Sequence, residues 1–174
     1  MVKNFLEFIK ESNDHEYGCL MIHPDIDNWN KITSLIDKDD LYQPNNPNYG
    51  IQNNPHVTIL YGLHSDVKFD DIRNIIDDYN SPIDIEIDGI GVFNNEEFDV
   101  VKLNVKSDSL HELNKKISEF PHTTDYPDYN PHMTIAYVKP GLGNKYLSDE
   151  FRRKFKDVRK FYYTGPNQNI NYTK

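Results

Sequence analysis

Two histidines, His56 and His132, each follow a proline and precede a threonine by two positions. They lie in the phrases NPHVTILY (54–61) and NPHMTIAY (130–137), which agree at six of eight positions. Imidazole titrates near neutrality, so a matched pair can act as general base and general acid in one step. The hydroxyls of Thr58 and Thr134 can donate to non-bridging oxygens of a phosphate. These parts suit cleavage of a phosphodiester without a metal. Pro55 and Pro131 fix the backbone entering each phrase and would aim each imidazole from the start of a strand. On a strand, alternate residues share a face. His56, Thr58 and Leu60 should then line one face, with Val57, Ile59 and Tyr61 on the core side. The same alternation sets His132, Thr134 and Ala136 against Met133, Ile135 and Tyr137.

Two other chemistries compete for these residues. A metal site would need ligands at close spacing, as in H-E-x-x-H or H-x-H, and neither pattern occurs. A binding module could use the same cleft to hold a nucleotide or an RNA end without turnover, although it needs no second titrating group. His15, His23, His64, His111 and His122 read as structural histidines. Tyr42, Tyr49, Tyr126 and Tyr129 are candidates for stacking on a base. Lys139, just past the second phrase, is a candidate for steadying a phosphate.

The elements that must position these groups can be read from periodicity. Residues 2–11 have the spacing of a short packing helix. YGCLMIH reads as a buried strand stopped by Pro24, and Asp27 could cap a helix carrying Trp29, Ile32, Leu35 and Ile36. The polar stretch 37–54 is long for a loop and could form a lid or rim. The first repeat is a strand ending at Gly62. A helix follows with Phe69, Ile72, Ile75, Ile76 and Tyr79, then a hairpin of IDIEIDGIGVF and FDVVKLNVK. Ser107 or Asp108 caps a helix with Leu110, Leu113, Ile117 and Phe120. After the second repeat, Ser148 is expected to cap a last helix with Phe151 and Phe155. RKFYYTG reads as the final strand, with a loosely held tail beyond Gly165. This order favours an α+β fold with two similar lobes over a doubly wound parallel sheet.

The chain has 174 residues, enough for a single domain, and its 12 Tyr and 9 Phe supply bulk for an interior. Its one cysteine, Cys19, excludes an internal disulfide and argues against a Cys-based metal site. The formal charge of −9 argues against a coat for extended nucleic acid. The N-terminus lacks the pattern of a signal peptide, and no apolar run is long enough to cross a bilayer. A cytoplasmic monomer is expected.

At HVTI and HMTI the sequence resembles the 2H phosphoesterase superfamily, its LigT-like and cyclic-phosphodiesterase group, defined by two H-x-[TS]-x motifs. The resemblance covers about residues 17–164 of a single domain, 1–174. It implies a bilobal, pseudo-twofold fold with two antiparallel-sheet lobes, helices outside and a central cleft. It also implies hydrolysis or transesterification of 2′,3′-cyclic phosphates, 2′–5′ linkages or cyclic nucleotides, with no cofactor. His56 and His132 would be the acid/base pair, and Thr58 and Thr134 the phosphate ligands. A small Asn-rich chain is also similar to bacteriophage 2H proteins, some of which destroy cyclic oligonucleotide signals of antiviral defence.

Protons and hydroxyls alone would meet the phosphate's charge in such a site. Turnover should therefore persist after dialysis against a chelator. Loss of activity restored by added zinc or manganese would favour the metal site instead.

Overall fold

The computed structural model describes residues 17–166 and 168–174. The helix expected over residues 2–11 lies outside them. Among the described residues eight strands form two antiparallel four-stranded sheets. They are β1 (Tyr17–Ile22), β2 (Val57–His64), β3 (Ile85–Asn94), β4 (Asp99–Lys106), β5 (His132–Val138), β6 (Ser148–Phe155), β7 (Lys160–Gly165) and β8 (Gln168–Thr173). One sheet runs β2-β1-β7-β8 and the other β5-β4-β3-β6. Each repeat therefore forms the edge of its own sheet, and the two edge strands touch. Among the described residues three α-helices, α1 (Trp29–Thr33), α2 (Phe69–Asp78) and α3 (Asp108–Ile117), accompany the sheets in an α+β fold. Among the described residues no helix is long and apolar enough to cross a membrane.

One continuous core joins the lobes, with Leu20, Ile22 and Ile59 from one sheet and Ile87, Leu103 and Ile135 from the other. Helix α3 starts where Ser107 accepts a hydrogen bond from the Leu110 amide at 3.2 Å. Its apolar stripe of Leu110, Leu113 and Ile117 is buried. Helix α1 is shorter than its apolar spacing suggests, and Asn28 rather than Asp27 precedes it, in a left-handed conformation.

Three further expectations are corrected. Ser148–Phe155 is strand β6, not a helix, so among the described residues no α-helix follows the second repeat. Phe151 and Phe155 have helical spacing, but they also share one face of a strand, where both pack against the core while Arg152 and Lys154 face solvent. Asp88 faces Arg152 at 3.3 Å and Glu86 faces Lys154 at 3.0 Å across the ladder. The tail beyond Gly165 is strand β8, paired with β7 from Gly165↔Gln168 to Lys160↔Thr173. Finally, Leu60 and Ala136 are core residues and do not line the cleft. Each repeat carries a one-residue bulge after its threonine, since Met21↔Thr58 is followed by Leu20↔Leu60. Likewise Lys102↔Thr134 is followed by Val101↔Ala136. The bulged Ile59 and Ile135 and the residues after them all turn inward, so Tyr61 is only half-buried.

The polar stretch 37–54 runs beside β5. Backbone bonds join Tyr42 N to Tyr137 O, Tyr137 N to Gly50 O, and Gln52 N to Ile135 O. The loop ahead of β5 covers β2 in the same way, with His64 N donating to Pro121 O and Thr123 N to Gly62 O. Gly62 has φ +84°, and a Cβ there would collide with the Thr123 carbonyl oxygen. Gly62→Ala should therefore cost about 3 kcal/mol or more, read as a lowered urea midpoint at unchanged slope. A midpoint within error of wild type would show that the loop yields easily.

Candidate functional site

The two repeats build one local geometry twice. His56 Nδ1 lies 2.8 Å from the Asn54 carbonyl oxygen, and His132 Nδ1 lies 2.8 Å from that of Asn130. A carbonyl can only accept, so each Nδ1 carries the proton and each Nε2 presents its lone pair. The intervening proline turns the chain so that a residue's ring meets the carbonyl two positions back. Its fixed φ keeps that approach in place. Thr58 and Thr134 follow on the same strand faces, both half-buried. The bulges then end the polar run, so each strand offers one imidazole and one hydroxyl.

Loss of water in the cleft pushes both imidazoles down from 6.5 to about 4, and the asparagine carbonyls oppose the shift. The rings of His23 and His132 add to the lowering at His56, which puts the two repeat histidines within electrostatic reach of each other. At His132 the added influence is the Lys102 ammonium.

Three further groups stand on these faces: Lys102 and Phe93, to which the sequence gives no role, and His23, which it reads as structural. His23 continues β1, and its ring lies 5.9 Å from that of His56. Its Nδ1 donates to the Pro55 carbonyl at 3.1 Å. Lys102 is buried on β4 directly across from Thr134, with Nζ 4.3 Å from the Phe93 ring centre. Phe93 in turn meets His132 edge to face at 4.9 Å. Alternation within VVKLNVK places Lys102 and Asn104 on one face, a legible signal, whereas His23 depends on a strand pairing that sequence does not display. Beside His23 lies a cavity of about 500 Å³, lined also by Asn54, Lys160, Tyr162, Asn171 and Thr173 among others, and neither His56 nor His132 lines it.

The remaining candidates are scattered. Tyr129 borders the site, donating its hydroxyl to the Thr58 carbonyl at 2.9 Å. Tyr42 and Tyr49 pack together at 4.9 Å in an aromatic cluster with Phe98 and Tyr137. Tyr126 is exposed in its loop. Lys139 stands past the far end of β5 from His132, where its ammonium bonds the Asp39 carbonyl at 2.7 Å. Among the described residues no three His, Cys, Asp or Glu side chains gather as a metal site.

The model of one protein family, the 2′-5′ RNA ligase superfamily, matches residues 24–162, which hold both repeats. Among solved structures, the chain is similar to E. coli LigT complexed with 3′-AMP, at a TM-score of 0.59 and 11% identity. That match covers 91% of this chain and 95% of the other. A second, a phosphoesterase, has a TM-score of 0.53 and 10% identity over 91% of this chain and 99% of its own. At such identities the likeness shows the LigT-like fold. No curated protein matches the sequence.

The depressed imidazoles make stability depend on pH with a definite sign. Between pH 6.5 and about 4 the unfolded chain takes up protons that the folded site refuses. The site's share of stability is whole above pH 6.5 and drains away as pH falls towards 4. Urea midpoints should fall more steeply over that window in wild type than in the double variant His56→Gln/His132→Gln. Parallel slopes would show that the cleft does not desolvate the rings.

Proposed function

The chain belongs to the 2′-5′ RNA ligase superfamily and is a phosphoesterase of the 2H class, and from that premise we propose a two-histidine, metal-independent cleavage of a nucleotide phosphodiester. The observation that carries this reading is the pair of imidazoles held alike by carbonyls 2.8 Å away. One neutral imidazole takes the proton of the attacking water or hydroxyl through Nε2 as the new O–P bond forms. The other, protonated, gives its proton to the leaving oxygen as the old P–O bond breaks. The Thr58 and Thr134 hydroxyls donate to the non-bridging oxygens, whose charge grows in the transition state.

The substrate is a small nucleotide or short RNA end with a 2′,3′-cyclic, 2′–5′ or cyclic nucleotide linkage. The cavity beside His23, whose ring lies 5.9 Å from that of His56, supports this, since its volume of about 500 Å³ lies in the range of small-ligand sites. Tyr162 offers it a ring and Asn54 and Asn171 offer amides. The likeness to E. coli LigT, complexed with 3′-AMP, agrees with a nucleotide ligand. Cyclic oligonucleotides of antiviral defence belong in the same panel of substrates.

The test is turnover of that panel by wild type and single variants. His56→Ala or His132→Ala should remove nearly all activity, with the double variant little worse, because groups acting as a unit are not additive. Thr58→Val and Thr134→Val keep the shape and lose the hydroxyl, so each should slow turnover roughly a hundredfold. Thr→Ser should be mild at either site. Nucleotide binding without turnover in wild type would mark the cleft as a binding module.

A further inference from the structure

The two lobes match closely around the histidines and differ one strand further in. The residue across from Thr58 is Met21, and beyond it lies Tyr162. The residue across from Thr134 is Lys102, and beyond it lies Gly91. The two halves of the cleft thus share their imidazoles and hydroxyls, but only one has a cation at this position.

We propose that Lys102 is the group that takes up the negative charge of the scissile phosphate, and that it makes His132 the base and His56 the acid. Its surroundings argue for a ligand. Lys102 is 8% exposed, yet among the described residues its ammonium meets no carboxylate. Its partner is a neutral amide, Asn104 Oδ1 at 2.5 Å, with the Phe93 ring below. A buried cation without a counter-charge is costly, and a bound anion removes the cost. Burial also lowers the lysine's own pKa. The phosphate oxygen that Thr134 binds lies on the side of the cleft where this ammonium stands.

The assignment of roles follows from charge. A cation beside His132 disfavours a second positive charge there, so His132 stays neutral and accepts the proton. His56 stands in Met21's lobe, where its neighbour is the ring of His23 at 5.9 Å, and Lys160, beside His23, is neutralised by Asp25 at 2.6 Å. The proton settles on His56 when the phosphate arrives, and His56 gives it to the leaving oxygen.

This inference rests on the reading of the cleft as a phosphodiesterase site, and its test separates the two. Lys102→Met copies the residue of the matching position, and Lys102→Gln keeps a donor towards Asn104 while losing the charge. Both should lower kcat/KM about a hundredfold, mostly through kcat, with circular dichroism and the urea midpoint unchanged or improved. Without the ammonium, His132 protonates more easily, so the acid limb of the kcat/KM profile should move to higher pH. Calorimetric titration with inorganic phosphate should show binding to wild type and its loss in both variants. Full turnover with an unmoved acid limb in Lys102→Gln would overturn the proposal. If His56→Ala were inactive in that same experiment, the proposed function would stand without it.

Discussion

A strand at the edge of a sheet leaves a row of backbone N–H and C=O groups unpaired, and both repeats of this chain are edge strands. Placing them there lets their polar faces meet from two sheets, since an inner strand would be hemmed in by ladders on both sides. The unpaired groups still require partners. The segment before the first repeat covers the second, at Tyr42, Gly50 and Gln52, and the segment before the second covers the first, at Pro121 and Thr123. Tyr129 and Asn114 add side-chain bonds to the Thr58 and Ile59 carbonyls. The exchange is reciprocal, so neither motif strand is held by its own lobe alone.

That exchange accounts for the length of the loops. Residues 40–42 and 50–52 both bond to β5, residues 43–49 make the turns that join them, and Trp29 pins the Gln52 carbonyl at 2.7 Å. The bulges obey the same demand. A bulged residue's carbonyl leaves the ladder, and here each finds a donor, Asn114 Nδ2 for Ile59 at 2.7 Å and Gln52 N for Ile135 at 2.8 Å. Two lobes that differ widely in sequence thus solve one backbone problem with the same geometry.

The parts of the fold legible in the sequence are those set by local pattern. The hairpin of β3 and β4, the stripe of α3 and its Ser107 cap, and the strand character of both repeats follow from alternation, period and capping chemistry. What escaped depends on partners distant in the chain. On strand β6 Arg152 and Lys154 alternate opposite Asp88 and Glu86 of β3, more than sixty residues earlier, and Lys156 and Asp84 pair just beyond the two strands. Strand β8 has few apolar residues and is held by pairing with β7. The inward turn of Leu60 and Ala136 comes from bulges that no period of two displays. Of the site, the repeated His-x-Thr was visible, while His23 and Lys102 come to it through cross-strand register.

An acidic chain that binds a phosphate must keep its negative charge away from the site, and net charge says little about how it does so. On the outer part of the β3–β4 sheet, Asp88 pairs with Lys106 and Arg152, and Glu86 pairs with Lys154. Such exposed pairs add little stability, but they cancel the charge of these carboxylates. Lys102 is treated in the opposite way. Asn104 gives it an amide oxygen and sends its own Nδ2 to the Asp88 carbonyl at 3.3 Å. There is room for that amide because residue 91 is glycine, since any Cβ at that position would collide with it. An aspartate in place of Asn104 would hold the ammonium more tightly and would also cancel its charge. A neutral amide positions the ammonium and leaves the positive charge for a phosphate.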